Sequence, residues 1–169
     1  VYLPTVRLAQ QGEFAELQAI ERAAASRFAE TDLPAAVRNQ TLGVAELQES
    51  LSQGLLWVVE LGNELAGFLA ARRDASRMHI LEMSVLPSHG RKGLGGRLIE
   101  VAVREARNRG LDSITLTTFS HVAWNAPAYA RAGFRELAES GLSPELARRL
   151  AEEREQGLCN RVAMERKFD

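Results

Sequence analysis

A single cysteine, Cys159, stands in 169 residues, so the chain can close no internal disulfide and offers no Cys-rich zinc cage. A reducing compartment suits such a chain. The longest apolar runs, Leu55 to Val59 and Phe68 to Ala71, fall far short of the roughly 18 residues that a membrane-spanning helix needs. Val1 to Gln10 show no basic segment followed by an apolar one, so nothing there reads as a secretory signal. The expectation is a cytoplasmic protein with no membrane partner. Net charge is scarce as well: 21 Lys and Arg stand against 22 Asp and Glu, a formal −1, which argues against a surface built to follow a nucleic acid. His79, His89 and His121 show no metal spacing, and no Gly-x-Ser-x-Gly nucleophile motif occurs, so no metal and no acyl-enzyme are expected. Repeats, low-complexity tracts and Pro/Ser-rich linkers are also missing, which leaves one domain over residues 1–169 as the reading.

With 46% hydrophobic and 25% charged residues, the chain has the apolar material for a layered core. Thr5 to Ala9 reads as a short strand. Glu13 to Arg27 reads as an amphipathic helix, because Phe14, Leu17, Ile20, Ala24 and Phe28 recur at helical spacing. Glu30 to Thr41 lacks periodicity and reads as a loop with a helical turn, ahead of a second helix at Val44 to Ser52. Leu55 to Leu61 and Glu64 to Arg72 are strand-like runs separated by Gly62-Asn63, a pair that suits a type II′ hairpin turn. Met78 to Val85 predicts a strand, and Leu94 to Asn108 a helix that Gly110 ends. Ile114 to Thr118 is rich in β-branched residues and predicts another strand. A short helix at Asn125 to Ala132, a charged helix at Ser143 to Glu155 and a last strand at Arg161 to Phe168 complete the order.

Positive charge concentrates in two places, Arg72 to Arg77 and Arg91 to Arg97, and the second is set among glycines. Gly90, Gly93, Gly95 and Gly96 fall within seven residues between a strand and a helix. Such a loop turns backbone N–H groups toward a ligand without Cβ obstruction, and the helix start adds its dipole and unpaired donors. A phosphate cradle or merely a tight connection would both satisfy this pattern. A Walker A loop needs Lys-Ser/Thr after its last glycine, which Gly95 lacks. Leu98 stands where a dinucleotide fingerprint needs its third glycine.

From Ile80 onward the chain resembles the GNAT superfamily of N-acetyltransferases, whose acetyl-CoA signature is Gln/Arg-x-x-Gly-x-Gly/Ala after a strand ending in Val-x-Pro. Here Val85-Leu86-Pro87 precedes Gly90-Arg91-Lys92-Gly93-Leu94-Gly95. Gly90 departs from the usual Gln or Arg, and an Arg follows one place later. Tyr129-Ala130-Arg131-Ala132-Gly133-Phe134 is similar at every position to the family's Tyr-x-Lys/Arg-x-Gly-Phe, and the two motifs lie about 35 residues apart. Val122 occupies a place where the family often has Asn. The whole stretch Thr117 to Phe134, with Trp124-Asn125 directly upstream of the second motif, resembles a bacterial subgroup with a Val-x-Trp-Asn-x-Pro pattern.

The resemblance implies an α/β (α+β) GNAT fold, with a mixed central β-sheet of about six or seven strands flanked by helices. That sheet would splay between its fourth strand, Met78 to Val85, and its fifth, Ile114 to Thr118. It also implies acetyl-CoA as cosubstrate, held by Gly90, Arg91, Lys92, Gly93, Leu94, Gly95 and Gly96. Backbone contacts to the acetyl and pantetheine portions would fall on Met83 and Val85. Asn125 is either a helix cap beside Pro127 or a further cofactor contact.

Acyl transfer to an amine needs a neutral nucleophile, and an alkyl amine of pKa about 10.4 is neutral in about one molecule in 2,500 at pH 7, roughly 4.6 kcal/mol. Glu82 is the candidate base, with a structural ion pair to Arg72, Arg73 or Arg77 as the alternative. Tyr129 is the candidate acid for the departing thiolate. Trp124 reads as packing, His121 as a surface imidazole, Cys159 as an inert thiol, and the Ser143 to Glu155 helix as a solvated face. The leading expectation is direct acetylation of a primary amine of a small molecule. A protein amino terminus or lysine is the nearer alternative, and an acetyl-CoA-binding sensor without turnover the more distant one. Whether the chain forms a homodimer stays open.

Overall fold

A computed structural model describes residues 2–28, 40–122 and 124–169. Seven strands make one sheet: β1 (Thr5–Leu8), β2 (Leu56–Leu61), β3 (Glu64–Asp74), β4 (Arg77–Val85), β5 (Ser113–Phe119), β6 (Arg135–Glu136) and β7 (Arg161–Lys167). Their order across the sheet is β1-β2-β3-β4-β5-β7-β6. Around it lie α1 (Phe14–Ala25), α2 (Val44–Ser52), α3 (Leu94–Asn108), α4 (Ala126–Arg131) and α5 (Pro144–Glu155). The expected elements outside 29–39 are present within a few residues of their expected bounds. The expected loop from Glu30 to Thr41 lies almost wholly outside the described residues. The two-residue strand β6, paired to β7 through Arg135↔Glu165, has no signal in the sequence.

The hairpin forms as the Gly62-Asn63 pair dictates. Leu61 pairs with Glu64, and Gly62 has φ +67 while Asn63 stays outside the left-handed region, as a type II′ turn requires. β3 then pairs with β4 over almost its whole length. β4 and β5 are parallel and need a crossover, which α3 supplies. Its buried residues Leu94, Leu98, Ala102 and Ala106 recur every fourth position and press on Leu69, Met78 and Ile114 of the sheet. On the opposite face α1 and α2 bury Leu17, Ile20 and Leu47 against Leu56, Val58 and Phe68. Alternation along β4 therefore sends Met78 and Ile80 toward α3 and His79 toward the α1 side.

Candidate active site

β4 and β5 pair at only three positions, the last being His79↔Thr115. Beyond that point the strands part, β4 running on to Val85 and β5 to Phe119, where β7 holds its other edge. A bulge accompanies the parting. Ala70 faces Glu82 and Ala71 faces Ile80, so Leu81 is an extra residue without an opposite number. The expected splay is thus present, and a cleft of about 880 Å³ opens along it, floored by residues 80–85.

At one end the cleft meets the glycine loop. Arg91 at φ +61 and Gly93 at φ +74 are both left-handed, and Gly93 begins α3 without a side-chain cap. The first N–H groups of α3 are therefore left for a ligand or water. A Cβ on Gly95 would lie 3.2 Å from Met83 Cε, so the loop backs closely onto β4. A cradle of uncapped donors beside Arg91 fits a diphosphate. Gly90, Arg91, Gly93, Leu94 and Gly95 line the cleft, whereas Lys92 and Gly96 lie outside its lining. Lys92 Nζ instead donates to His89 Nδ1 at 3.1 Å, and His89 Nε2 meets Glu64 at 2.9 Å.

At the middle of the cleft stands Glu82. The ion pair weighed for it is not formed: Arg72 pairs with Glu145, Arg77 with Glu165 at 3.5 Å, and Arg73 Nε donates to the Ala75 carbonyl. Glu82 Oε1 accepts from Ser84 Oγ and from its neighbour Met83 N–H, both at 3.1 Å. Met83 N–H, the expected donor to an acetyl oxygen, is thus engaged by the carboxylate beside it. The side chains of Met83 and Val85 pack on the α3 core, while both residues line the cleft.

Glu82 has a further partner that the sequence did not single out. Glu21 of α1, 8% exposed, lines the same cleft, where it interacts with the Glu82 carboxyl and accepts from Leu42 N–H at 2.9 Å. Burial and the Glu82 charge push Glu21 well above the ordinary carboxyl range. Glu82 is also raised, chiefly by burial, against which the Ser84, Glu21 and Met83 hydrogen bonds and the Arg161 charge act. Two carboxyls in contact hold one proton between them more easily than two charges. A clue was present: Glu21 falls four residues after Leu17 and three before Ala24, on the apolar stripe of α1.

Tyr129 of α4 lines the same cleft, its ring edge-on to Phe134 at 5.8 Å. Burial first and the nearby Glu82 charge second raise its phenol far above the ordinary value, while Arg161 opposes them. Arg161 is fixed by Glu153 at 3.2 Å and by Thr117, over the face of Phe119. Asn125 occupies the cap position of α4 but makes no cap with its side chain. Its Oδ1 accepts from Thr118 Oγ1 at 2.6 Å, tying α4 to β5. Trp124, 36% exposed, packs on Phe28 and under Arg27 and also lines the cleft. His121 is exposed at the sheet end, its ring against Phe119.

The expectation of a merely solvated helix at Ser143 to Glu155 is corrected. Ser143 Oγ caps α5, Leu146 is fully buried, and Arg149 and Glu153 on the same stripe line the cleft. A helix with few apolar residues reads as solvated until its neighbours are known, and here one side of it is a cleft wall. Among the described residues no cluster of His, Cys, Asp or Glu could hold a metal, and no helix is long and apolar enough to cross a membrane.

Known proteins share this fold. The chain is similar over its full length to N-acetylglutamate synthase from Neisseria gonorrhoeae, solved with coenzyme A and N-acetyl-glutamate, at 19% identity and a TM-score of 0.73, but it spans only 36% of that chain. It is similar over 98% of its length to 99% of the PaiA N-acetyltransferase from Thermoplasma acidophilum, solved with coenzyme A, at 13% identity and a TM-score of 0.76. A likeness of 17% identity and TM-score 0.64 extends over 99% of this chain and 95% of the ribosomal-protein-S18-alanine N-acetyltransferase from Escherichia coli. Residues 16–134, from α1 through the glycine loop to the Tyr129–Phe134 motif, match the model of the acetyltransferase (GNAT) family, and the chain therefore belongs to that family of acyltransferases.

Proposed function

We propose that residues 1–169 act as a single acetyl-CoA-dependent N-acetyltransferase domain that acetylates a primary amine of a small molecule directly. The carrying observation is the meeting of three parts in one cleft: the glycine loop at one end, the Glu21–Glu82 pair in the middle, and Tyr129 from the α4 side. Bound acetyl-CoA supplies the acetyl thioester. Arg91, Gly93 and Gly95 would hold its diphosphate on the uncapped start of α3, with Gly90, Lys92, Leu94 and Gly96 shaping the loop and Asn125 bracing α4 beside it.

The remaining work falls to this chain's own groups. An incoming ammonium meets the carboxyl pair, which takes one proton and releases a neutral amine to attack the carbonyl carbon. As Glu82 turns to the amine it frees Met83 N–H, the donor aimed at the carbonyl oxygen. Tyr129, kept protonated by burial, gives its phenolic proton to the sulfur as the C–S bond breaks, and the second proton shed by the attacking nitrogen returns the phenolate to phenol. A cytoplasmic setting belongs to the same reading, supported by the lone, exposed thiol of Cys159. Thiol release from acetyl-CoA across a panel of amines tests it. Amine-dependent release is expected, and tight acetyl-CoA binding with no release on any amine would leave a sensor instead.

A further inference from the structure

Arg149 of α5 lines the cleft, yet among the described residues it makes no hydrogen bond and no ion pair, and its Nε is buried without a partner there. The three carboxylates nearest it are all claimed. Glu145 is bound by Arg72 and Arg148, Glu152 by Arg148, and Glu153 by Arg161 and Thr117. Arg72 stands beside it as a second cation, and its own Nε is likewise buried and unpartnered. Below them His79, bound to Thr115 Oγ1 at 2.9 Å, is held neutral by its burial and by the charges of Arg149 and Arg72. A partly buried guanidinium next to another cation is costly unless an anion completes it.

The location says which anion. Arg149 lies on the α1 side of the sheet, over His79, and shares its cleft with the Glu21–Glu82 pair. The glycine loop, which already answers the diphosphate, is at the start of α3, whose helix packs on the other face. We infer that Arg149 receives a carboxylate of the acceptor, so that the acceptor class is a small amine carrying a carboxylate. The inference rests on the acetyltransferase reading above and adds the substrate class to it. The carboxyl pair takes the ammonium end, and the guanidinium fork takes the carboxylate end.

Matched acceptors test this: ω-amino acids and α-amino acids against n-alkylamines of equal length, with wild type, Arg149→Gln and Arg149→Lys. Expected is a kcat/KM preference for the carboxylated amine of about 10-fold or more, abolished by Arg149→Gln, partly kept by Arg149→Lys, with acetyl-CoA affinity unchanged. Equal use of both acceptor classes by wild type, or an equal loss on both in Arg149→Gln, would overturn it. A fall in acetyl-CoA affinity in Arg149→Gln would assign the anion to the cosubstrate and overturn it too. Calorimetry of N-acetyl-amino acids against the CoA-loaded protein needs no turnover and separates the two readings. Binding weakened at least about 10-fold by Arg149→Gln upholds the carboxylate site even if no amine is acetylated, and no binding of any N-acetyl-amino acid refutes it.

Discussion

Glu21 of α1 and Glu82 of β4 set their carboxyls against one another in one cleft, where sharing a proton relieves the repulsion of two buried charges. Facing the pair are the like charge of Glu46 from α2, the phenol of Tyr129 from α4 and the guanidinium of Arg161 from β7. Glu21→Gln preserves a donor to Glu82 and an acceptor for Leu42 N–H while removing one titratable carboxyl. The ascending limb of kcat/KM should lose the step that titration of the raised Glu21 carboxyl contributes, and so begin at lower pH by about one unit. A 13C titration of Glu82 reads the same shift without turnover, and an unmoved profile would reduce Glu21 to packing.

The same pair sets a sign for stability. Glu21 has a folded value raised above its unfolded one, so the folded protein keeps a proton that the unfolded chain has released. Its contribution is full below the unfolded carboxyl range and is lost as pH rises through the raised folded value. Melting temperature followed from about pH 5 to 9 should fall on this account, and Glu21→Gln should flatten the slope.

Tyr129→Phe should lower kcat by about 10- to 1,000-fold with little change in acetyl-CoA affinity, water serving as a poorer acid at the low end. The ring contact to Phe134 survives the change, so the melting temperature should hold. Because burial and Glu82 keep the phenol protonated, no falling limb from Tyr129 is expected below about pH 9. Full turnover across that range would end its role as proton donor.

Glu82→Gln should move the rate profile toward higher pH, where more of the amine is already neutral. Steady-state rates on one competent amine from about pH 6 to 10 decide this, and an unchanged profile would mean the amine arrives already neutral.

Gly95→Asp should abolish acetyl-CoA binding in a folded protein. Its Cβ would press on Met83 Cε at 3.2 Å, and its carboxylate would stand in the diphosphate cradle. Met83 is a flexible side chain and can yield, so circular dichroism should show the fold intact while calorimetry shows no binding. Unaltered affinity would remove the cradle from this loop.

Local signals were legible wherever a residue's chemistry acts on its own neighbours. Gly62 permitted the hairpin turn, the apolar stripe of Leu94, Leu98, Ala102 and Ala106 made the crossover helix, and the glycines before Leu94 opened its N-terminus to a ligand. Those effects range over one or two turns of chain. What the sequence could not supply was the company kept across the sheet. Glu21 and Glu82 are 61 positions apart and meet because α1 lies over the parted end of β4. Arg72 chose Glu145 over Glu82 because α5 folds back above β3. β6, two residues long, exists only because β7 offers it an edge. Proton sharing, ion-pair choice and an uncompensated guanidinium depend on separations of a few ångströms between distant segments, and only the tertiary fold sets those separations.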